Sequence, residues 1–428
     1  MLVVFHLHFY QPPRKNPITE EYEIEESAYP FENWNERISK ECYERIIPLP
    51  LRNLSSNWGP TLIEWMVDKK RNLLKGIRKV GIFHKTYIMQ PYYHIIMPLA
   101  DKFMKEANTI WGIRFFEKVF GYKPKGVWLP ECAVDLETLK IMKKYGIKFT
   151  ILGEDQVYGA RGSGLYRIAG IEDFYTFVFD REASGKIAFS DENFYEREMI
   201  KYLKGKLKIN GVLIVATDGE TFGHHKKWGI RFLRKLLNQS MIKYSLNDLF
   251  SLLEPKGTVA IKEFSSWSCP HGVRRWQDDC GCSTGANPNW NQKWRKPLRD
   301  ALDWLRNIFY NLYFEYANSI GVDGKRLLLN HNIYSTPTTE PILRLAAAYQ
   351  YVVAMYTSCA WFFDDISGRE AQIAIAFAAK VIKTLEEVTG YHIEDGFLNK
   401  LAYAKSNIPD LGTGREVYKK LLKSNFNS

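Results

Sequence analysis

Short apolar runs recur through the first two-thirds of the chain: LVVFHLH at 2–8, VGIFHKTYIM at 80–89, KGVWLPE at 125–131, IKFTILGE at 147–154, GVLIVATDGE at 211–220 and TVAIKEFSSW at 258–267. Their length and their content of β-branched and aromatic residues predict strands, with DFYTFVFD and KIAFS as weaker candidates. Between several of them lie stretches with helical period, notably WGIRFFEKVFGY and LETLKIMKKYG. Strands alternating with helices predict a parallel sheet. The residues that carry chemistry fall repeatedly at strand C-terminal ends, which in a parallel α/β barrel is the catalytic rim. An open doubly wound sheet would carry a Gly-rich nucleotide loop, and none is found. From about Trp294 the pattern changes to long helical stretches, LRDALDWLRNIFYNLYFEYA, EPILRLAAAYQYVVAMY and GREAQIAIAFAAKVIKTLEEVTG, without comparable strands. The expected organisation is a barrel over 1–293 and a helical domain over 294–428 packed on its rim.

Composition narrows the function classes. The net charge of +11, from 59 Lys and Arg against 48 Asp and Glu, raises the question of nucleic acid. The basic residues are scattered, and KKWGIRFLRKLL at 226–237 has the period of a solvated amphipathic helix, so no nucleic-acid partner is expected. No run reaches the roughly twenty apolar residues that cross a bilayer, so no membrane span is expected. The N-terminal MLVVFHLHFYQPP has no basic n-region or small-residue cleavage site, and a cytoplasmic location is the expectation. Six cysteines in 428 residues fit reduced thiols better than a disulfide framework. Twelve Trp and 25 Tyr supply flat faces of the kind that pack on sugar rings, although most such rings in any protein are core.

Two carboxylates stand out. Glu131 ends the apolar approach GVWLP, where an ionised group loses hydration unless a donor or a charge holds it. It also precedes AVDLETLKIMKKYG, and acting as a cap for that helix explains it equally well. Asp218 follows the apolar strand of IVATDGETFG, and with Glu220 it either fixes a Gly turn or faces Glu131 across a pocket. Two carboxylates so placed suit glycoside hydrolysis, one attacking the anomeric carbon and the other protonating the leaving oxygen. His6 and His8 share one side of the first strand by its period of two, and can bind sugar hydroxyls, satisfy backbone carbonyls or ligate zinc.

HLHFYQP at 6–12, QPYYHIIMPLAD at 90–101, GVWLPE at 126–131 and TDGETFG at 217–223 occur in the order of the signature regions of glycoside hydrolase family 57, which the chain resembles. FENWNERISKECYE, SSWSCPHGVRRWQDDCGC and TSCAWFFDDISG resemble a less-studied branch of that family. The resemblance implies a seven-stranded (β/α) barrel followed by a helical domain, and a retaining mechanism on α-glucans with no cofactor. It implies Glu131 as nucleophile, Asp218 as general acid/base, and His6, His8 and Gln11 as sugar contacts. Trp128, beside the nucleophile, joins the expected substrate-binding set. Trp361 lies where relatives send an aromatic toward substrate, but Ala360 stands where several have Asp, with Asp364 and Asp365 following. Two other function classes stay open: a metal-dependent hydrolase or deacetylase using His6 and His8, and a non-catalytic glucan-binding protein.

Cys269, His271, Cys280 and Cys282 form a soft-ligand cluster in CPHGVRRWQDDCGC. Their C-x-H and C-x-C spacings are tighter than the usual zinc pairs. The expectation is a metal-free loop from which His271 and Trp267 approach the sugar.

Overall fold

The computed structural model describes residues 2–334 and 338–426. In chain order the strands among them are β1 (Leu2–Phe9), β2 (Ser55–Trp58), β3 (Gly126–Val127), β4 (Phe149–Gly153), β5 (Val157–Tyr158), β6 (Gly164–Ile168), β7 (Tyr175–Phe179), β8 (Val212–Asp218) and β9 (Thr258–Ile261). β1 is buried along nearly its whole length, as a strand covered on both faces must be, and pairs in parallel with β2 on one side and β8 on the other. A second sheet runs β3-β4-β7-β6-β9-β5, parallel through its first three strands, with β6 antiparallel to β7 and β5 antiparallel to β9.

Backbone bonds link the two sheets. Ile88 N–H donates to the Ser56 carbonyl at 3.0 Å, Met89 N–H to Gly126 at 3.0 Å and Trp128 N–H to Met89 at 2.8 Å, so the segment around Ile88 lies between β2 and β3. At the other side Asp180, just beyond β7, donates to the Ile214 carbonyl of β8 at 3.0 Å. One hydrophobic cluster draws on both sheets: Val4 and Ile214 from the first pack with Ile151, Phe177 and Phe179 from the second.

Two expected strands are corrected. Residues 80–84 belong to the helix Arg71–His84, whose inward positions Leu74, Ile77 and Gly81 recur at helical spacing. KIAFS ends the helix Arg181–Phe189, which starts because the Asp180 side chain accepts from Ala183 N–H at 2.9 Å.

The described chain groups into two compact units. The first comprises Met1–Gln11, Glu23–Tyr92 and Thr109–Trp267 and holds all nine strands; the second comprises Pro12–Tyr22, Tyr93–Asn108 and Ser268–Ser428. The second unit is helical, dominated by Arg295–Ser319, Pro341–Ala354 and Arg369–Thr389. Leu298, Leu302, Leu305 and Phe309 form the buried stripe of the first of these, and Phe309 stacks on Tyr349 of the second at 5.8 Å.

Candidate active site

Glu131 does not cap the helix that follows it. That helix, Leu136–Lys144, is capped by Asp135, whose carboxylate accepts from Thr138 N–H at 3.1 Å. Glu131 lies instead in the tight turn Pro130–Cys132 with φ 57° and ψ 20°, and Cys132 follows with φ 49°. Two successive non-glycine residues in the left-handed region are strained, and such a turn persists only where its surroundings over-determine it. Here Gln156 Nε2 donates to the Cys132 carbonyl at 2.7 Å, Ala133 N–H donates to Pro130 at 2.9 Å and Trp267 N–H donates to the Glu131 carbonyl at 2.9 Å. The Trp267 indole then donates to Glu131 Oε2 at 3.2 Å. The carboxylate is thereby fixed in direction as well as in place.

Asp218 is the last residue of β8 and the register partner of His8 on β1. Solvent reaches it, yet protein crowds its carboxyl closely enough for lost hydration to be the largest influence on it. Lost hydration, then the charge of Glu220, then that of Glu131 push the Asp218 carboxyl well above the usual range, and among the described residues no hydrogen bond offsets them. Two residues on, Glu220 is buried and is raised to about 7 by lost hydration, opposed by donors that include the Tyr43 hydroxyl at 2.6 Å and the Gln11 side chain. The thiol of buried Cys132, itself raised by burial, feels the charges of Glu131, Arg181, Asp155 and Asp218 together, so these groups converge on one region. Arg181 also donates to the Trp267 carbonyl at 2.5 Å, which anchors Trp267 from behind.

His6 and His8 stack on one indole, that of Trp128, at centroid distances of 5.1 and 4.8 Å. Asn57 on β2 joins them: its Oδ1 accepts from His6 Nε2 at 3.0 Å, while its Nδ2 meets His8 Nδ1 at 3.0 Å and Gln90 Oε1 at 2.7 Å. Ser55 Oγ lies 3.0 Å from His6 Nδ1 and donates to it, so both nitrogens of the His6 ring are engaged inside the protein. Burial pushes both imidazoles down to about 3, with the Asn57 bonds opposing it, so neither ring carries charge at neutral pH. The Trp267 indole is a donor that holds Glu131, and neither His6 nor His8 is protonated to supply a charge there.

The structure brings Glu131, Asp218, His8, Trp128 and Trp267 together: His8 and Trp267 each pack on Trp128, the latter edge-on at 4.8 Å. Trp128 is fully buried and is the wall behind the histidines. Gln11 is turned toward Glu220 and Tyr43. In the second unit, Trp361 is fully buried, with its Nε1 donating to the Arg295 carbonyl at 3.1 Å and its ring under the Arg299 guanidinium. His271 is also in the second unit, with Nδ1 facing Cys282 and Cys269. Sequence reasoning missed Asn57, Ser55, Tyr43 and Arg181. SSNW at 55–58 has no apolar alternation to mark it as a strand, and its polar residues acquire meaning only as register partners of His6 and His8.

Comparison with known proteins places this site in context. Residues 290–333 and 330–428 match a domain of unknown function (DUF3536). Among curated proteins, an α-amylase of Pyrococcus abyssi is 23% identical over 49% of this chain and 35% of its own length. A 4-α-glucanotransferase of Thermococcus litoralis is 21% identical over 62% of this chain and 42% of its own. The chain thus spans well under half the length of these curated relatives. Among solved structures, an exo-type maltose-forming amylase from Pyrococcus sp. ST04 superposes with a TM-score of 0.73 at 17% identity, covering 94% of this chain and 82% of the other. A branching enzyme from Thermococcus kodakaraensis gives 0.62 at 14% identity, covering 99% and 94%. Both likenesses speak to fold. The match that assigns the family spans residues 6–260, which hold the strained Glu131 turn, the Asp218 strand end and the His6–Asn57–His8 network: the chain belongs to glycosyl hydrolase family 57.

Proposed function

We propose that the chain is a retaining enzyme that cleaves or transfers α-glucosidic bonds in α-glucans, with Glu131 as nucleophile and Asp218 as general acid/base. The observation that carries this reading is the contrast between two neighbouring carboxylates. Glu131 is oriented by an N–H donor, which suits an ionised nucleophile, while Asp218 is held toward its neutral form by lost hydration and two negative neighbours. In the first step Asp218 gives its proton to the glycosidic oxygen as Glu131 attacks the anomeric carbon, the C–O bond breaks, and a glycosyl ester forms on Glu131. That ester removes one of the charges that raised Asp218, so its carboxylate form persists and can serve as the base. In the second step Asp218 takes a proton from water or an acceptor hydroxyl, whose oxygen attacks the anomeric carbon and releases Glu131. A carboxylate separation of about 5–5.5 Å belongs to this course.

His8, held at its Nδ1 by the Asn57 amide, is the proposed partner of a sugar hydroxyl. Trp267 is the proposed aromatic edge of the site, while His6, Trp128 and Gln11 are proposed to act chiefly by positioning their neighbours. The named activities of the relatives, amylase, glucanotransferase and branching enzyme, share a glycosyl transfer and differ in the acceptor. The two sheets are proposed to close as a seven-stranded barrel, with the segment at Ile88 as one strand; the backbone bonds to Ser56 and Gly126 and the Asp180–Ile214 bond support it.

A zinc-dependent hydrolase built on His6 and His8 fits less well. Both ring nitrogens of His6 are already engaged, Nδ1 by Ser55 and Nε2 by Asn57. Incubation with maltooligosaccharides and with amylose, followed by resolution of products by size and linkage, tests the proposal. New reducing ends identify hydrolysis, longer chains identify transfer, and α-1,6 linkages identify branching. Binding without any turnover would instead favour a non-catalytic glucan-binding protein.

A further inference from the structure

The loop between Trp267 and the helix Arg295–Ser319 contains a single short helical turn, Arg274–Trp276, yet it gathers four soft donors. The Sγ atoms of Cys269, Cys280 and Cys282 and a ring nitrogen of His271 all lie within 4.8 Å of one another, and they are the one such group of His, Cys, Asp and Glu among the described residues. Cys269 Sγ is 3.9 Å from Cys280 Sγ and 3.7 Å from Cys282 Sγ, and His271 Nδ1 is 3.5 Å from Cys282 Sγ and 4.0 Å from Cys269 Sγ. These four separations match edges of a metal tetrahedron. With Zn–S of about 2.3 Å and Zn–N of about 2.0–2.1 Å, tetrahedral angles put sulfurs about 3.8 Å apart and sulfur and nitrogen about 3.5 Å apart. A disulfide accounts for none of this: all the cysteines are free, and three thiols converging on one point exceed what one bridge can use.

We infer that Cys269, His271, Cys280 and Cys282 form a structural zinc site that staples this loop. The tight C-x-H and C-x-C spacings, which argued for a metal-free loop, are accommodated by the backbone. Gly281 sits between Cys280 and Cys282 at φ 79°, and Gly272 follows His271 at φ 72°; both lie in the left-handed region that lets the chain turn back on itself. Four protein donors fill a tetrahedron and leave no position for substrate, which makes the role structural rather than catalytic.

The surroundings match the charge of such a centre. Three thiolates around a divalent ion leave a net negative charge. Arg295, fully buried, donates through Nη1 to the Cys282 carbonyl at 2.8 Å and makes no ion pair among the described residues, so its charge faces the cluster without a paired carboxylate. Outer-shell donors of this kind commonly hold metal-binding loops in place. The loop is also tied down by Arg275, which donates to the Phe362 carbonyl at 2.7 Å, and by the Trp276 indole, which donates to Ser358 at 3.1 Å.

The test is metal analysis of the full chain purified without added metal. The expected result is stoichiometric zinc, about one per chain, with an X-ray absorption spectrum of three sulfurs near 2.3 Å and one nitrogen. Chelation should lower the Tm, and added zinc should restore it. Cys280→Ser with Cys282→Ser should abolish retention. Should that variant fail to fold, wild-type protein refolded with cobalt should show thiolate charge-transfer absorption that weakens in His271→Ala. Folded protein that lacks zinc, takes up none and reacts with a thiol reagent at all three cysteines overturns the assignment. Iron in place of zinc, or zinc unaffected by either variant, overturns it as well.

Discussion

Trp267 holds Glu131 twice, its backbone N–H bonding the Glu131 carbonyl at 2.9 Å and its indole bonding Oε2 at 3.2 Å. The first bond helps keep the backbone turned and the second aims the carboxylate. Trp267→Phe separates the two. It keeps the backbone bond and a ring to pack on Trp128, and removes only the donor to the charged oxygen. A hydrogen bond to a charged group is worth about 1.5–3 kcal/mol, so kcat should fall roughly 10- to 100-fold while the thermal transition changes little. Steady-state kinetics beside a melting curve checks both halves.

Chemical rescue distinguishes the two carboxylates. In Glu131→Ala the nucleophile is replaced by space, and added azide should restore cleavage with a product of inverted configuration. In Asp218→Ala, a substrate with a good leaving group should still load Glu131, and azide should then release a product of retained configuration. NMR of the glycosyl azides reads the outcome. Wild-type turnover in Glu131→Gln would return that residue to a structural role.

The left-handed conformation at Glu131 makes an unusual prediction about stability. Glycine in place of alanine normally destabilises a folded chain by about 0.5–1 kcal/mol, but at φ 57° the order should reverse. Glu131→Gly should unfold at higher urea concentration than Glu131→Ala, by about 1 kcal/mol, and both should be inactive. Equal midpoints would mean the turn relaxes when its side chain is removed.

Glu220, raised to about 7 in the fold from an ordinary carboxylate value of 4.5, links stability to pH. A group raised on folding favours the native state below its unfolded value, and that contribution is lost as pH rises from there through the folded value. Wild type should therefore lose up to about 3 kcal/mol relative to Glu220→Gln between pH 4.5 and 8. The same variant removes the larger of the two negative neighbours of Asp218, so the alkaline limb of kcat/KM should move to lower pH. Denaturation midpoints and a pH–rate profile test the two separately.

His6 and His8 give the opposite stability trend. Their folded values of about 3 are depressed from 6.5, so neutral imidazoles stabilise the fold above pH 6.5 and that stability disappears as pH falls toward 3. Removing their common partner with Asn57→Ala takes a hydrogen bond from each of the buried side chains of His6, His8 and Gln90 and should cost about 2–4 kcal/mol at neutral pH. Urea unfolding at pH 7 measures it.

The parts of the site that announce themselves locally were legible in the sequence. LVVFHLH and VLIVATD are apolar runs that end in polar residues, and the alternation of strand and helix implied parallel strands, as the pairing of His8 with Asp218 has them. The strained turn at Glu131 was not legible, because no local propensity favours two left-handed residues at Glu-Cys; contacts from Gln156 and Trp267, distant in sequence, impose it. The run at 80–89 misled because its first half continues the buried stripe of a helix and only Tyr87–Met89 bridge to strands. The convergence of four side chains in the cysteine loop was not legible either. Spacing rules describe ligands on simple knuckles, whereas here two left-handed glycines bend the chain between and beside the donors.

The position of β1 also bears on how the protein is made. His8 pairs with Asn57 on one side and with Asp218 on the other, so β1 finds its second neighbour only about two hundred residues further along the chain. Until then its buried face has an open edge. Nascent chains released before β8 emerges should therefore be the species that chaperones engage, and Asp218 cannot be set beside His8 before β8 has been made.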